Sequence, residues 1–417
     1  MYSYLSESQK LAIDTIVAGN SVFIGGAAGT GKSYLLKHLK TLKDKNVQIT
    51  ATTGIAAINV GGVTLHSWAS LGVEKIPVME IARKILSPRG IKTREKILAT
   101  DILAIDEVSM LSQETFEMLS TLLEAVRGNE KPFGGIQLVL MGDFFQLPPV
   151  NSSRYCFESP LWSKAKIETV ILKEIFRQLD KDFIELLNNI RYGIIRKSDI
   201  SLLKSRFNIP HSGPMWPTVL TTHNMPAEII NLEKLNFLSG QERIYKAKYT
   251  GDTDKIDIFR KNSLAKDTLI LKIGSQVMML KNSYQSKGII NGSTGIIVGF
   301  SEKKCYPVVN FENGQQLTII PETWEISSFN VNTGEIEVLA TMTQIPLILA
   351  WAITVHKSQG MTIDKIECDL KNSFSEGQIY VALSRARNLE GLFIKSFDVN
   401  LVKTNEKVIN FYSQHHI

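Results

Sequence analysis

Apolar residues along this chain follow two rhythms. In the first half, short apolar runs at 22–24, 47–50, 102–105, 137–141 and 167–172 alternate with segments whose apolar residues recur every three or four positions. The short runs predict strands. Leu35, Leu36, Leu39 and Leu42, and later Phe116, Leu119, Leu122, Leu123 and Val126, have the spacing of helices packed on a sheet. Strand and helix in alternation predict an α/β fold with a parallel sheet and crossover helices. One stretch, 72–97, breaks the rhythm. It carries Arg83, Lys84, Arg89, Lys92, Arg94 and Lys96, contains Pro77 and Pro88, and reads as an insertion projecting from the sheet.

A second α/β unit begins near Glu174, with a strand at 218–220 and a helix at 227–236, and returns in runs at 347–354, 366–370, 378–383 and 392–396. Between its halves, about 245–342, the texture changes. Runs at 270–273, 276–280, 295–300, 307–311 and 316–320 are punctuated by Asn291-Gly292 and Asn313-Gly314, the pattern of a small antiparallel barrel. The pattern divides the chain into a first unit, 1–173 with its insertion at 72–97, a second unit split into 174–244 and 343–417, and the barrel at 245–342.

Composition narrows the class. The chain has 417 residues, 44% hydrophobic and 21% charged, which excludes disordered and collagen-like classes. Lysines and arginines number 47 against 41 acids, a net charge of +6 that suits a polyanionic partner. The longest strongly apolar run, 345–355, is interrupted by Pro346 and Thr354 and falls short of the roughly 20 residues of a membrane helix, so no membrane role is expected. Cys156, Cys305 and Cys368 lack CxxC spacing and the histidines are scattered, which argues against a disulfide framework or a zinc site. The first ten residues carry neither a secretion nor a transit pattern.

The chemistry concentrates in a few strings. Gly26-Ala27-Ala28-Gly29-Thr30-Gly31-Lys32-Ser33 fits GxxxxGK[ST] between a strand and a helix. In that context, glycines let backbone N–H groups curl around a phosphate, Lys32 supplies a point charge, and Ser33 offers a hydroxyl to Mg²⁺. Asp106-Glu107 follows an apolar strand, so one carboxylate can reach Mg²⁺ while its neighbour polarises the attacking water. Together these strings predict nucleotide hydrolysis. Gly142 to Pro149 ends the next strand, where ligands bind in open α/β sheets, and Gln146 there either senses a γ-phosphate or faces water. Ser6-Glu7-Ser8-Gln9 matches a capping box, so on the residues alone Gln9 closes the first helix. Arg177 and Arg385 are the candidates for neutralising charge on the transferred phosphoryl group, unless they are ordinary surface arginines.

Read in order, these strings resemble superfamily 1B DNA helicases of the petite-integration-frequency type, akin to the RecD and Dda helicases. The resemblance rests also on Thr52-Thr53-Gly54-Ile55-Ala56-Ala57, Thr64-Leu65-His66-Ser67-Trp68, Asp106-Glu107-Val108-Ser109-Met110, Phe133-Gly134-Gly135-Ile136-Gln137, Phe176-Arg177-Gln178, Thr354 to Gly360 and Tyr380 to Arg387, nearly the whole chain. It implies two RecA-like P-loop domains with ATP in the cleft between them, an SH3-like β-barrel inserted in the second, and a short wedge at 72–97 in the first. It implies an ATP-dependent helicase moving 5′ to 3′ on single-stranded DNA and unwinding duplex, with Mg²⁺ held by Ser33 and Asp106. Lys32, Glu107, Gln146, Arg177 and Arg385 would then be catalytic. The nucleotide would be held by Gln9, now as an adenine contact, with Gly26, Ala28, Gly29, Thr30, Gly31, Lys32, Ser33, Asp106 and Gly360.

Single strands are gripped by polar and cationic contacts to phosphates and by base stacking. By resemblance the DNA residues are Thr53, Gly54, His66, Ser67, Asn224, Thr354, His356 and Ser358; taken singly, Thr53 also reads as a cap, Asn224 as a turn residue and His356 as a core ring. Single-stranded DNA and its junctions with duplex are the expected partners of a monomer, in the cytoplasm at the nucleoid. The targeting and partner-binding tails of larger relatives are not among the matched strings. Two other functions fit parts of the pattern: an ATPase that remodels without strong unwinding, and a single-strand-binding module.

Overall fold

The computed structural model describes residues 5–39, 42, 45–72, 76–150, 152–178, 180–211, 213–330, 335–372 and 375–415. The first sheet is six-stranded: β1 (Val22–Gly26), β2 (Val47–Ala51), β3 (Val63–Thr64), β4 (Ile102–Asp106), β5 (Gln137–Gly142) and β6 (Glu168–Leu172), in the order β3-β2-β4-β5-β1-β6. Every pairing is parallel. Because β4, β5 and β1 are neighbours, the segments that follow them emerge side by side along one carboxyl edge. These are Asp106-Glu107, the loop with Gln146 and the glycine-rich loop, so strand order alone assembles the site.

Around this sheet lie α1 (Glu7–Val17), α2 (Lys32–Leu39), α3 (Gly54–Asn59), α4 (Leu65–Ala69), α5 (Val78–Leu86), α6 (Ile91–Ala99), α7 (Gln113–Arg127) and α8 (Pro160–Lys164). The longest, α7, shows how sequence sets an element. Ser112 accepts a hydrogen bond from the Thr115 N–H at its start, Gly128 at φ 60° ends it, and Phe116, Leu119, Leu122, Leu123 and Val126 are buried along one face. Each such side chain contributes about 1.5–3 kcal/mol of apolar burial. The same core takes in Ile81, Ala82, Ile85 and Ile97. The stretch at 72–97 therefore does not project free, as its charge had implied. Its described part is a pair of helices, α5 and α6, clamped by their apolar face onto α7, with Arg83, Lys84, Arg89, Lys92 and Arg94 exposed. Residues 73–75 lie outside the described residues.

After α9 (Lys181–Arg191) and α10 (Lys197–Lys204) comes β7 (Thr218–Thr221), the centre of the second parallel sheet, and then α11 (Asn224–Phe237). The insertion runs through β8 (Arg243–Lys246), β9 (Lys248–Gly251), α12 (Thr253–Asn262), β10 (Thr268–Leu271), β11 (Gln276–Met279), β12 (Thr294–Phe300), β13 (Pro307–Phe311), β14 (Gln316–Thr318), β15 (Glu322–Asn330), β16 (Glu335–Gln344) and β17 (Leu347–Leu349). The chain then returns through β18 (Ala352–Thr354), β19 (Ile366–Asp369), α13 (Gln378–Leu383), β20 (Leu392–Ser396) and α14 (Glu406–Gln414). The second sheet has the order β18-β7-β19-β20, all parallel.

The insertion holds an antiparallel sheet, β14-β13-β12-β11-β17, and a pair, β10-β8, closing on one core of Leu269, Leu271, Val277, Met279, Ile297, Val309, Phe311 and Leu347, consistent with the small SH3-like barrel. Two features depart from the pattern read in the sequence. The single run at 347–354 is two strands, since Leu347–Leu349 pairs with β11 in the barrel and only Ala352–Thr354 joins the parallel sheet. The second departure is the three-stranded sheet β15-β16-β9, which with α12 reaches the first unit, where Ile58 of α3 shares a core with Phe259, Trp324, Ile326 and Met342. The last helix also crosses over: Val408, Phe411 and Tyr412 of α14 pack on Phe23, Phe144 and Phe145 of the first unit.

Candidate nucleotide and nucleic-acid sites

The glycine-rich loop turns between β1 and α2 with Gly29 and Gly31 at φ +87° and +84°, a left-handed conformation that favours glycine and brings successive N–H groups to one side. Lys32 Nζ donates to the carbonyls of Gly26 at 2.7 Å and Ala27 at 3.1 Å, folding the side chain back over the loop. Burial pushes its ammonium pKa down, while Asp143, Glu107 and Asp106 pull the other way. The Ala28 N–H is bound by the Tyr380 hydroxyl at 2.9 Å, a contact from the second unit onto the loop. Thr30, 1% exposed, donates to the Ala27 carbonyl. Ser33, at the first turn of α2, lines the large cavity described below.

Gln9 is tied both to its own helix and to the phosphate loop. Its Oε1 accepts from the Ser6 N–H, closing a capping box on α1, while its Nε2 donates to the Thr30 carbonyl at 3.3 Å. The glutamine thus caps its helix and borders the phosphate loop at once. The ring of Phe176 lies beside Gly31 and is 60% exposed. An exposed aromatic ring just before Arg177 is a flat apolar face at the edge of the phosphate loop, and its only signal in the sequence is an aromatic in the Phe176-Arg177-Gln178 motif.

At the end of β4, Asp106 Oδ1 accepts from the Glu107 N–H at 2.9 Å. Glu107 is held at φ +53°, uncommon for a side chain of that size and a way of fixing its direction. Burial, then the Asp106 charge, raises its pKa to about 7; burial likewise raises that of Asp106. Gln146 is 5% exposed. Gln359, from the second unit, donates from Nε2 to Glu107 Oε2 at 2.9 Å and stands 3.5 Å from Gln146 Oε1. So Gln146 faces the cleft and not bulk water.

Arg385 is buried and Arg177 is half-buried, both turned into the cleft. Arg177 sits against Gly29 and donates to the carbonyls of Ser384 and Gly360, each at 3.2 Å. Arg385, 1% exposed, donates to the carbonyls of Val381, Ser358 and Met361 and to the Ser384 hydroxyl. Burial lowers the first guanidinium to about 10; burial together with the Arg177 charge lowers the second to about 9, and Glu107 pulls both upward. A buried ion pair locks the same edge: Arg191 of α9 grips Asp143 through Nη2 at 2.8 Å and Nε at 3.1 Å, with Phe145, Tyr192 and Tyr412 around the guanidinium.

Beside this cluster lies a cavity of about 1360 Å³ bounded by both units and the insertion. Of the residues read as DNA-binding, it is lined by Thr53, Gly54 and His356, together with Asn59, Trp324 and the cations Arg260, Lys261, Lys266, Lys281 and Lys357. Thr53 is also the cap of α3, accepting from the Ala56 N–H. The others stand elsewhere. His66 is exposed on α4 beside half-buried Ser67, and Asn224 is exposed at the start of α11. Thr354 and Ser358, 3% and 0% exposed, spend their hydroxyls inside their own turn, accepting from the Lys357 N–H and donating to the Val355 carbonyl. The cationic rim from the insertion was missed because its residues belong to none of the quoted strings.

A family model described as PIF1-like helicase matches residues 4–200, and one for the 2B domain of DNA helicase Pif1 matches 257–300. The structure of Bacteroides sp. Pif1 in complex with ADP-AlF4 is 32% identical, covers 99% of this chain and 97% of that one, and superposes with a TM-score of 0.87. The chain belongs to the PIF1-like helicase family. Against Bacteroides Pif1 bound to single-stranded DNA the identity is again 32%, with coverage of 99% and 97% and a TM-score of 0.65. The ATP-dependent DNA helicase PIF1 of Xenopus laevis is 40% identical over 98% of this chain, which spans 64% of the length of that relative. The family's 2B match falls on the later part of α12 and on the barrel strands β10, β11 and β12.

Proposed function

We propose that this chain is an ATP-driven motor that moves along single-stranded DNA, 5′ to 3′, and separates duplex ahead of it. One observation carries the reading. The set on the first unit, buried Asp106 and Gln146 with half-buried Lys32 and Glu107, is met across the cleft by Arg177, Arg385 and Gln359 of the second, beside a cavity rimmed with cations. A nucleotide between two lobes, touched by both, couples its cleavage to their closure.

The loop from Gly26 to Ser33 cradles the phosphates through its N–H groups, and the Lys32 ammonium leaves its backbone carbonyls for the β and γ oxygens. Gln9 and the face of Phe176 take the adenine. Asp106 and the Ser33 hydroxyl suit Mg²⁺, a hard ion that takes few protein ligands beside substrate phosphates and supplies charge neutralisation there; among the described residues no cluster of three or more His, Cys, Asp or Glu offers a closed metal cage. Glu107 polarises the attacking water, Gln146 registers the γ-phosphate, and the two guanidiniums offset the charge that spreads over the transferred group. Thr53, Gly54, His356 and the cationic rim hold the strand, and the exposed cations on α5 and α6 face the duplex end. Motion requires that the open and closed clefts grip DNA with different affinity.

The reading is tested by ATP turnover with and without oligo-dT and by unwinding of duplexes carrying a 5′ or a 3′ tail. Stimulation by the oligonucleotide and unwinding from the 5′ tail are expected; Lys32→Ala abolishes turnover, and Glu107→Gln binds ATP but stalls. Unstimulated turnover, or unwinding from the 3′ tail alone, overturns the motor or its polarity respectively.

A further inference from the structure

The four residues Ser358, Gln359, Gly360 and Met361 make hydrogen bonds to every charged group that would act on the γ-phosphate apart from Lys32. The Gln359 side chain donates to Glu107 Oε2 at 2.9 Å. The Gly360 carbonyl accepts from Arg177 at 3.2 Å, and the Ser358 and Met361 carbonyls accept from Arg385 at 3.3 and 3.5 Å. Two residues earlier in the chain than Ser358, His356 is exposed and, with Lys357, lines the cationic cavity. One short turn therefore lines the cavity from His356 to Gly360 and bonds the catalytic groups through its last residues. Gly360 at φ +80° lets the turn fold that tightly.

The geometry points to Gln359 as a positioning residue that restrains Glu107, and to the turn 356–361 as the latch through which a strand lying on His356 releases that carboxylate and the two arginines. The inference rests on the motor reading above. Its physical content is competition. A carboxylate oxygen that accepts a charge-assisted hydrogen bond from an amide is less able to take a proton from water, and freeing it requires breaking that bond. The amide also bridges toward Gln146, so its withdrawal opens the space between the water-polarising group and the γ-phosphate sensor. The turn is pinned only where it must be: Ser358 is buried and bonded to Val355, whereas Gln359 is half-buried in the cleft.

The test uses the full chain with Gln359→Met, which keeps the length of the side chain and removes its donor, and Gln359→Ala as a second variant. ATP turnover is measured with and without oligo-dT over a range of ATP concentrations, with a melting curve for each protein. The latch predicts that the DNA-free kcat rises by about ten-fold, the equivalent of about 1.4 kcal/mol, with KM for ATP within two-fold of wild type. The DNA-stimulated kcat changes little, so the stimulation ratio falls by the same factor. A residue that only supports the fold lowers both rates and does not produce a gain. Adding Glu107→Gln to Gln359→Met must abolish the gain; a gain that persists overturns the assignment. A stimulated wild type whose variants keep or lose the DNA-free rate refutes the latch alone. A wild type that oligo-dT does not stimulate refutes the motor reading, and the latch with it.

Discussion

Removing the Arg191 guanidinium isolates a buried charge. The Asp143 carboxylate is fully buried and accepts three hydrogen bonds from Arg191, at 2.8, 3.1 and 3.3 Å, and one from the Phe145 N–H at 3.3 Å. In Arg191→Met the carboxylate stays buried without its counter-ion, a change that costs about 3–5 kcal/mol. The aromatic faces of Phe145, Tyr192 and Tyr412 lose a cation they surround, which adds to the loss. A cooperative unit of 150–250 residues loses roughly 2–4 °C of melting temperature per kcal/mol, so the first-unit transition falls by roughly 6–20 °C. Differential scanning calorimetry reads it directly. The decisive comparison is with the double variant Asp143→Asn, Arg191→Met, which removes both charges and regains at least half of the loss, because the larger part is an orphaned charge and not a lost attraction. A single variant that melts within about 2 °C of wild type, or a double variant no more stable than the single, refutes the reasoning. Since Asp143 opens the loop that carries Gln146, the single variant also loses ATP turnover at temperatures where it remains folded.

Three further outcomes follow from named contacts. Gln9→Glu keeps the acceptor that caps α1 and loses the amide donor, so KM for ATP rises by about ten-fold at unchanged melting temperature; an unchanged KM leaves Gln9 a cap and nothing more. Lys96, whose ammonium lies against Trp68, is lowered by burial to about 7 from 10.5, so between those values the unfolded chain binds more protons and stability rises with pH; below them the penalty is constant. The stability of Lys96→Met minus that of wild type is thus greatest below neutral pH and shrinks by on the order of 5 kcal/mol toward the upper value, and urea midpoints that keep a flat difference contradict the burial. Lys261→Gln, on the exposed rim of the cavity, lowers the slope of log affinity for oligo-dT against log salt by about 0.7, one phosphate's share; an identical slope removes Lys261 from the strand's path.

What the sequence made legible was whatever a short stretch of chain decides by itself. The phosphate loop needs Gly29 and Gly31 in left-handed conformation and a strand before it, and both signals are local. The strand runs of the first unit were equally plain, because a parallel strand buried on both faces, as β1 and β4 are, leaves an unbroken apolar string. Charge misled at 72–97, where exposed cations hid the four buried apolar positions that dock α5 and α6. The run at 347–354 misled for a different reason. Both of its strands are apolar, and only the partner across the ladder, β11 for one and β7 for the other, tells them apart. The β15–β16 sheet did leave a trace: Trp324 and Ile326 alternate with polar neighbours, and Met342 stands between Thr341 and Thr343.

The contacts that matter most for coupling are those that no local pattern encodes. Tyr380 reaches the Ala28 N–H across 352 positions, Arg191 reaches Asp143 across 48, and Gln359 reaches Glu107 across 252. Each joins the second unit to the carboxyl edge of the first sheet, and each is a polar contact inside a region from which water is largely removed. The apolar packing that also joins the lobes, at α14 and at Ile58, holds them together without regard to the nucleotide. Hydrogen bonds and ion pairs are directional and fail over a fraction of an ångström, so a small displacement at the phosphate loop changes which of them can form. A cleft lined this way has few intermediate arrangements of comparable energy, which is the property that the proposed motor requires if cleavage of one phosphate bond is to become a step between two grips on a strand.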